Sequence, residues 1–367
     1  MLLLATLAVG LELSLRYENA HRLGALLFLA SVVLTLCVFS VAMRGRRAGS
    51  GAAVVLLLAL LVFVKWEGGQ RTLYRVFRFP ERYFLFLGPW LGLSYIVFRL
   101  VHVLLEARRG HLPPMRSSEL LIYVLMPATL VAGPIDRFPR QRPEIGRRPS
   151  FPEVAEGGRR IVVGLFQKVV LADFLATLPL DLPHAGLSTL RMWGSLYLFG
   201  LQIYFDFAGY SSIAIGSAAL VGIRVPENFD SPYLKENLTR FWQSWHATLS
   251  GWMRDYLFFP LGRALRGAGM AALPALAISQ LATMVAIGLW HGLDARFALW
   301  GAWHAAGLFA ARLWADRRRG RPAPDSRWRR AGATFVTFQY VMCGWVFFYG
   351  ESVPRCGAIF ARLAGFS

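Results

Sequence analysis

Cysteine is nearly absent. The 367 residues hold three, Cys37, Cys343 and Cys356, with no CxxC pair and no even set. That excludes a disulfide framework and the usual cysteine-ligated metal sites. The three read as packing residues, two of them inside apolar runs. Acidic residues are also scarce, 21 against 40 lysines and arginines, for a net charge of +19. In a soluble chain that imbalance points to nucleic acid. Here the arginines cluster between apolar runs, near 44–47, 108–109, 137–160 and 317–330. This is the pattern of basic loops kept on the cytoplasmic face and against anionic lipid, so nucleic acid is set aside. There is also no GxSxG elbow, Walker loop, HExxH or closely spaced Cys/His set. Each of those absences removes a chemistry: serine hydrolase, P-loop nucleotidase, zinc protease. No metal is expected, although His291 and His304 lie only thirteen residues apart.

What the chain has in abundance is apolar length. It is 56% hydrophobic, with mean hydropathy +0.45. Predominantly apolar runs cover residues 23–43, 51–64, 83–105, 161–180, 192–223, 271–289 and 333–349. Several approach or exceed the roughly 20 residues that a helix needs to cross a bilayer. The expectation is an all-α, polytopic integral membrane protein, a single membrane-embedded domain over 1–367. The opening MLLLATLAVGLELSL has no basic start and no clear cleavage site, so it reads as a retained membrane or interfacial segment and not as a signal peptide. Counting positive charges does not settle topology. The basic loops flanking 51–64, and those flanking 119–135, would each lie on one face with a single span between them.

Three polar stretches interrupt this pattern. The prolines of RFPRQRPEIGRRPSFPEV oppose a long helix and predict a surface loop. ADRRRGRPAPDSRWRR reads likewise, joining two spans. The stretch 226–266 differs, because Phe229, Tyr233, Phe241, Trp242, Trp245, Trp252 and Tyr256 are interleaved with charges. So many amphipathic rings favour the headgroup zone or a re-entrant path.

Two histidines stand out against that background. An unpartnered polar group buried in an apolar medium costs several kcal/mol, so ionisable groups at membrane depth are candidates for function. Read as one helix, residues 237–256 put Trp242, His246, Leu249 and Met253 on one face. On that reading His246 is either a functional group or an amphipathic interfacial ring. His291 closes the run 271–289. Gly292 then suits a left-handed helix stop, and Asp294 can cap a following helix from Ala295. Irregular backbone at membrane depth is tolerated only beside protein or a water-filled cavity, which makes His291 the better catalytic candidate, with a snorkelling interfacial ring as the alternative. Asp206, in LQIYFDFAGYSS with Tyr210 close by, needs a partner, and histidine or arginine is the natural one. Lys168 has Asp173 five residues on and reads as a packing or interface residue.

In order along the chain stand VFVKW from Val62, LGLSYIVFRLVHVLLE from Leu91, LVAGPIDR from Leu130 and GLFQKVVLADFLA from Gly164. LQIYFDFAGYSSIAIGSAALVGIRVPENFDSPY follows from Leu201 and FWQSWHATLSGWMRDYLFFPLG from Phe241. LWHG from Leu289, FALWGAWHAAGL from Phe297 and GWVFF from Gly344 complete the series. Together these motifs, over roughly residues 60 to 350, resemble the membrane-bound O-acyltransferase family. The likeness is to its bacterial branch that O-acetylates alginate, cellulose or peptidoglycan. The chain departs from that pattern at Ala208, Ser212, Gln243, Ser244 and Arg263.

The resemblance implies a ring of helices around a central funnel or tunnel, with His291 as the family's near-invariant histidine and His246 as the branch's second. Asp206, Tyr210, Asn228, Trp245 and Trp290 are the supporting or tunnel-lining candidates. It further implies an acyl-CoA donor, in the first instance acetyl-CoA, on the cytoplasmic side of a bacterial inner membrane. A separate extracytoplasmic acetyltransferase is the implied partner. His291 would act as general base, with an acyl-histidine as the variant, and His246 would position a reactant or steady the oxyanion. A transporter of a small anion or acyl carrier, and an inactive scaffold for the partner enzyme, are the competing readings.

Overall fold

The computed structural model describes residues 20–43, 47–77, 92–178, 188–318 and 326–366. The N-terminal apolar segment at 1–15 and residues 319–325 of the 317–330 loop lie outside them. All regular structure among the described residues is helical. Two helices, Ala272–His291 and Arg327–Tyr349, are each long and apolar enough to cross a membrane, and shorter apolar helices cover Leu29–Met43 and Gly49–Lys65. Arg327, Arg329 and Arg330 therefore start a helix and do not belong to a loop.

The chain divides into two compact units, one of residues 1–162 with 211–226, the other of 163–210 with 227–367. In the first, helix Leu93–Arg109 is buried almost continuously from Leu93 to Leu104. Arg99 and His102 lie on its buried length, and both make internal hydrogen bonds. The Arg99 guanidinium donates to the carbonyls of Val124 and Thr129, at 2.7 Å each. His102 Nε2 accepts from the Phe138 amide at 3.0 Å. The ambiguous segment 119–135 is resolved here: helix Ser117–Leu125 has nine residues, about 14 Å of rise against a hydrocarbon core of about 30 Å. It is too short to cross, so the basic loops on either side of it need not lie on opposite faces. The proline-rich stretch also differs from a plain loop. After turns at Phe138–Gln141 and Arg142–Glu144, a helix runs over Phe151–Leu165. Pro152 sits in its first turn, where a missing N–H costs nothing.

In the second unit Phe166–Ala172 is wound as a π-helix, with Val169, Val170 and Phe174 exposed, an apolar face suited to lipid. The expected helix over 237–256 is not continuous. It is Leu238–Ser244, then a break, then Ala247–Met253, a π-turn at Arg254–Phe258 and Phe259–Gly267. The hairpin Ala272–His291 and Ala295–Arg317 follows. Its helices meet backbone to backbone: a Cβ on Gly288 would fall 2.0 Å from the Phe297 carbonyl oxygen, and one on Gly301 would fall 2.4 Å from that of Met284. Close approach through small residues is how helices associate where lipid removes the hydrophobic driving force. Cys356 is buried, but Cys37 is exposed and does not pack.

Candidate active site

The break at Trp245–His246 is the structural event that builds the site. His246 adopts φ 43°, ψ 48°, left-handed backbone, uncommon for a residue with a side chain. The loop at Asn228 holds it there. The Asn228 carbonyl accepts from Ala247 N at 3.0 Å and Asp230 N donates to the Ser244 carbonyl at 3.0 Å. The Asn228 side-chain oxygen meets His246 Nδ1 at 3.0 Å and Thr248 Oγ1 at 2.9 Å. Asn228 is 0% exposed and His246 3%. An amide oxygen only accepts, so Nδ1 carries the proton of the neutral ring and Nε2 keeps the lone pair. A helical face predicted from periodicity does not reach this result, because a carboxamide eighteen residues upstream sets the ring.

His291 ends its helix as expected, but Gly292 does not stop it through left-handed backbone. Gly292 is extended at φ −174°, and its glycine identity reflects space, since a Cβ there would lie 2.5 Å from the Phe297 ring. Asp294 caps the next helix as predicted, accepting from Arg296 N at 2.8 Å. The His291 ring lies against Phe348 and Trp300, with centroids 4.9 and 5.6 Å away. Trp290 connects the two histidines, 4.7 Å from the ring of His291 and 6.1 Å from that of His246. His291 is exposed where His246 is buried.

The other predicted positions separate. Trp245 is a packing residue of a ring cluster, edge-on to Phe229 at 5.1 Å and tilted on Trp345 at 5.1 Å. Tyr233 ties that cluster down by donating to the Gly200 carbonyl at 2.8 Å. Asp206 does not pair with a histidine or an arginine: its partner is Lys168, 38 positions earlier in the chain, in a half-exposed ion pair. Lys168, read as a packing or interface residue, is thus that carboxylate's partner. Tyr210 lies one turn on from Asp206, partly buried.

Sequence reasoning missed Thr248, Trp300 and Phe348, and weighed His304 only as a metal ligand. The signal for two of them is present in FALWGAWHAAGL, where Trp300 and His304 are four apart and so share a helix face. A cleft of about 400 Å³ opens in this unit, walled in part by Trp242, Ala247, Met284 and Ile287. Gln243 and Gln280 add amides, and the two arginines of the lining, Arg254 and Arg312, are ion-paired with Asp255 and Asp316.

Known proteins are similar to this sequence. The chain is 31% identical to a teichoic acid D-alanyltransferase of Streptococcus thermophilus over 287 residues, covering 71% of this chain and 68% of that protein. It is 34% identical to a probable alginate O-acetylase of Azotobacter vinelandii, covering 75% of this chain and 54% of that one. A peptidoglycan O-acetyltransferase of Helicobacter pylori is 30% identical, over 64% of this chain and 44% of its own. The chain thus spans about half the length of the alginate and peptidoglycan relatives. The pattern of the family described as MBOAT matches from residue 55 to residue 353, across both histidines and the cleft, and the chain belongs to the membrane-bound O-acyltransferase family.

Proposed function

We propose that the protein moves an acyl group, in the first instance acetyl, from a cytoplasmic acyl-CoA thioester to a hydroxyl destined for an extracytoplasmic polysaccharide or cell-wall polymer. It would do so as a multi-pass protein of the bacterial inner membrane, its helices ringing a funnel that both reactants enter. The observation that carries this reading is the pair His246 and His291 bridged by Trp290.

The two rings suit different tasks. A general base becomes an imidazolium, and His291 is the last residue of its helix, where the C-terminal end of the macrodipole favours a cation by roughly 0.3–1 kcal/mol. Its exposure lets it be solvated once charged. His246 is buried, and its amide-bound tautomer presents a lone pair at Nε2. That lone pair suits accepting a hydrogen bond from the incoming hydroxyl; steadying an oxyanion needs a donor there. His246 is therefore the positioning group and His291 the base. Apolar walls with amides and two arginines support the cleft as the seat of a long thioester that ends in phosphates. A separate extracytoplasmic acetyltransferase would complete delivery to the polymer.

The test is His291→Ala, assayed both as acyl transfer from acetyl-CoA by the purified protein in nanodiscs and as polymer acylation in cells. Loss of about 10²–10⁴-fold is expected. Full polymer acylation by the variant at normal membrane levels would overturn the assignment. A wild-type protein that supports acylation in cells yet never cleaves acyl-CoA, with or without its partner, would favour transport.

A further inference from the structure

Asp206 takes no part in the acyl transfer proposed for the two histidines. It stands about midway along the 32-residue helix Thr189–Leu220, with about 20 Å or more of helix on either side of it. In a span of a multi-pass protein that is membrane depth, where charged side chains face protein or a water-filled cavity and not lipid. Its partner Lys168 comes from the π-wound segment Phe166–Ala172. The two segments approach closely: a Cβ on Gly209 would fall 2.7 Å from the Gly164 carbonyl oxygen and 2.8 Å from the Lys168 amide nitrogen. The pair is nonetheless open, with the Lys168 side chain 38% exposed and that of Asp206 51%. Lys168 Nζ donates to Asp206 Oδ1, which leaves Oδ2 and two ammonium N–H groups without a hydrogen bond among the described residues. Gln202, one turn before Asp206 on the same helix face, adds a partly exposed amide that engages no described residue. The result is an accessible patch with no net charge that offers both acceptors and donors. Phe207, the residue after Asp206, meets the His246 ring edge-on at 4.7 Å, so the patch borders the positioning histidine.

We propose that Asp206, Lys168 and Gln202 bind the vicinal hydroxyls of an uncharged sugar unit of the acceptor and so present a neighbouring hydroxyl to the histidine pair. This rests on the acyl-transfer reading of the site. A sugar hydroxyl both donates and accepts. One hydroxyl donates to Asp206 Oδ2 while its neighbour accepts from the Lys168 ammonium, and the Gln202 amide serves a third. Hydrogen bonds to charged groups are the strong ones, more so where water is scarce. The ion pair also selects by charge. A uronate would meet the Asp206 carboxylate with an ammonium already neutralised, and an amino sugar would meet Lys168. A neutral unit is the one that uses both ends of the pair.

The experiment uses the full chain in nanodiscs with radiolabelled acetyl-CoA as donor. The acceptors are oligosaccharides from the host's envelope polysaccharide, split by anion exchange into neutral and acidic fractions. Lys168→Met with Asp206→Leu removes both charges together and keeps the apolar bulk, so abundance and melting temperature should stay near those of the wild type. KM for the neutral acceptor should rise at least about tenfold, while KM for acetyl-CoA changes less than about threefold, a split that a merely structural pair would not produce. Asp206→Glu, which keeps the pair and an open oxygen, should stay within about threefold of the wild type in both constants. The wild type should label the neutral fraction at least about tenfold better than the acidic one. The inference is overturned by a double variant of normal abundance with an unchanged acceptor KM. Preferred labelling of the acidic fraction, or acetyl-CoA consumed with neither fraction labelled, overturns it too. Should the double variant fail to assemble, Gln202→Leu decides, because it removes an amide that no described residue uses. A rise in acceptor KM of at least about threefold supports the site, and an unchanged KM overturns it. A wild-type protein that never cleaves acetyl-CoA would instead refute the acyl-transfer reading itself.

Discussion

Replacing Asn228 by alanine tests the device that sets His246. The side-chain oxygen of Asn228 takes hydrogen bonds from His246 Nδ1 and Thr248 Oγ1, in a place where Asn228 itself is wholly buried. Its removal strands an imidazole N–H and a hydroxyl. A net hydrogen bond contributes about 0.5–1.5 kcal/mol, and a buried donor left without a partner costs about 1–3 kcal/mol. Two such donors place the loss of stability at about 2–5 kcal/mol, less where Thr248 rotates to another acceptor. The effect on activity is separate. Without the amide the ring is free to take either tautomer and to leave its left-handed backbone, and loss of an orienting partner typically costs about 10–100-fold. Asn228→Asp keeps an acceptor at the same place, so it should retain more acyl transfer than Asn228→Ala at equal membrane abundance. The assay is acyl transfer from acetyl-CoA per molecule of folded protein, with detergent melting read in parallel. An alanine variant of normal stability and normal transfer rate would refute the reasoning, because His246 would then owe neither its pose nor its role to Asn228.

Gly288→Ala places a methyl 2.0 Å from the Phe297 carbonyl oxygen; backbone cannot yield cheaply, so a loss of about 1–3 kcal/mol or more is expected, read as a lowered melting temperature and lowered membrane abundance. Asp206→Asn leaves Lys168 charged on a face rich in exposed apolar side chains and should reduce abundance. The double replacement Lys168→Met with Asp206→Leu should recover it, since removing both charges is cheaper than stranding one. Acid stability should depend on Glu153, whose carboxyl is held down to about 2 first by the Arg147 guanidinium and then by Ser150. A depressed carboxylate contributes its stability above its ordinary value of 4.5 and loses it as pH falls from there toward 2. Glu153→Gln should flatten the melting-temperature profile across that window and leave its slope at neutral pH alone. Glu144, held down chiefly by Arg224, acts in the same direction.

The parts of this fold legible from sequence are those decided by neighbours along the chain. The hairpin of Ala272–His291 and Ala295–Arg317 was readable because its apolar run, its glycine and its capping Asp294 lie within a few residues of one another. Even there the reason for Gly292 was misread, since the space it leaves is defined by Phe297, in the first turn of the next helix. The break at His246 was not readable. Local preference disfavours left-handed backbone at a histidine, and periodicity over 237–256 continues smoothly across it. What overrides both is a hydrogen-bonded loop from Asn228, so the cause is tertiary. Asp206 failed the same way: a carboxylate on an apolar run announces a need for a partner, but its identity as Lys168 depends on a helix 38 residues upstream.

That contrast bears on how the chemistry is divided. His291 obtains its setting mostly locally, from a helix end and the hairpin rings of Trp290 and Trp300, with Phe348 added from a later helix, and remains exposed at a terminus that favours its cation. His246 obtains its setting from afar and is locked as a neutral ring with one lone pair. A base has to change charge during the reaction; a positioning group has to avoid changing anything. If the two roles were reversed, protonation would create a buried cation at His246, whose Nδ1 faces a neutral amide oxygen. Reversal therefore predicts that His246→Gln, which keeps a polar end but cannot take up a proton, is as inactive as His291→Gln. A base at His291 and a positioning group at His246 predict that His246→Gln keeps measurable transfer, with the loss falling on KM for the acceptor, while His291→Gln loses kcat.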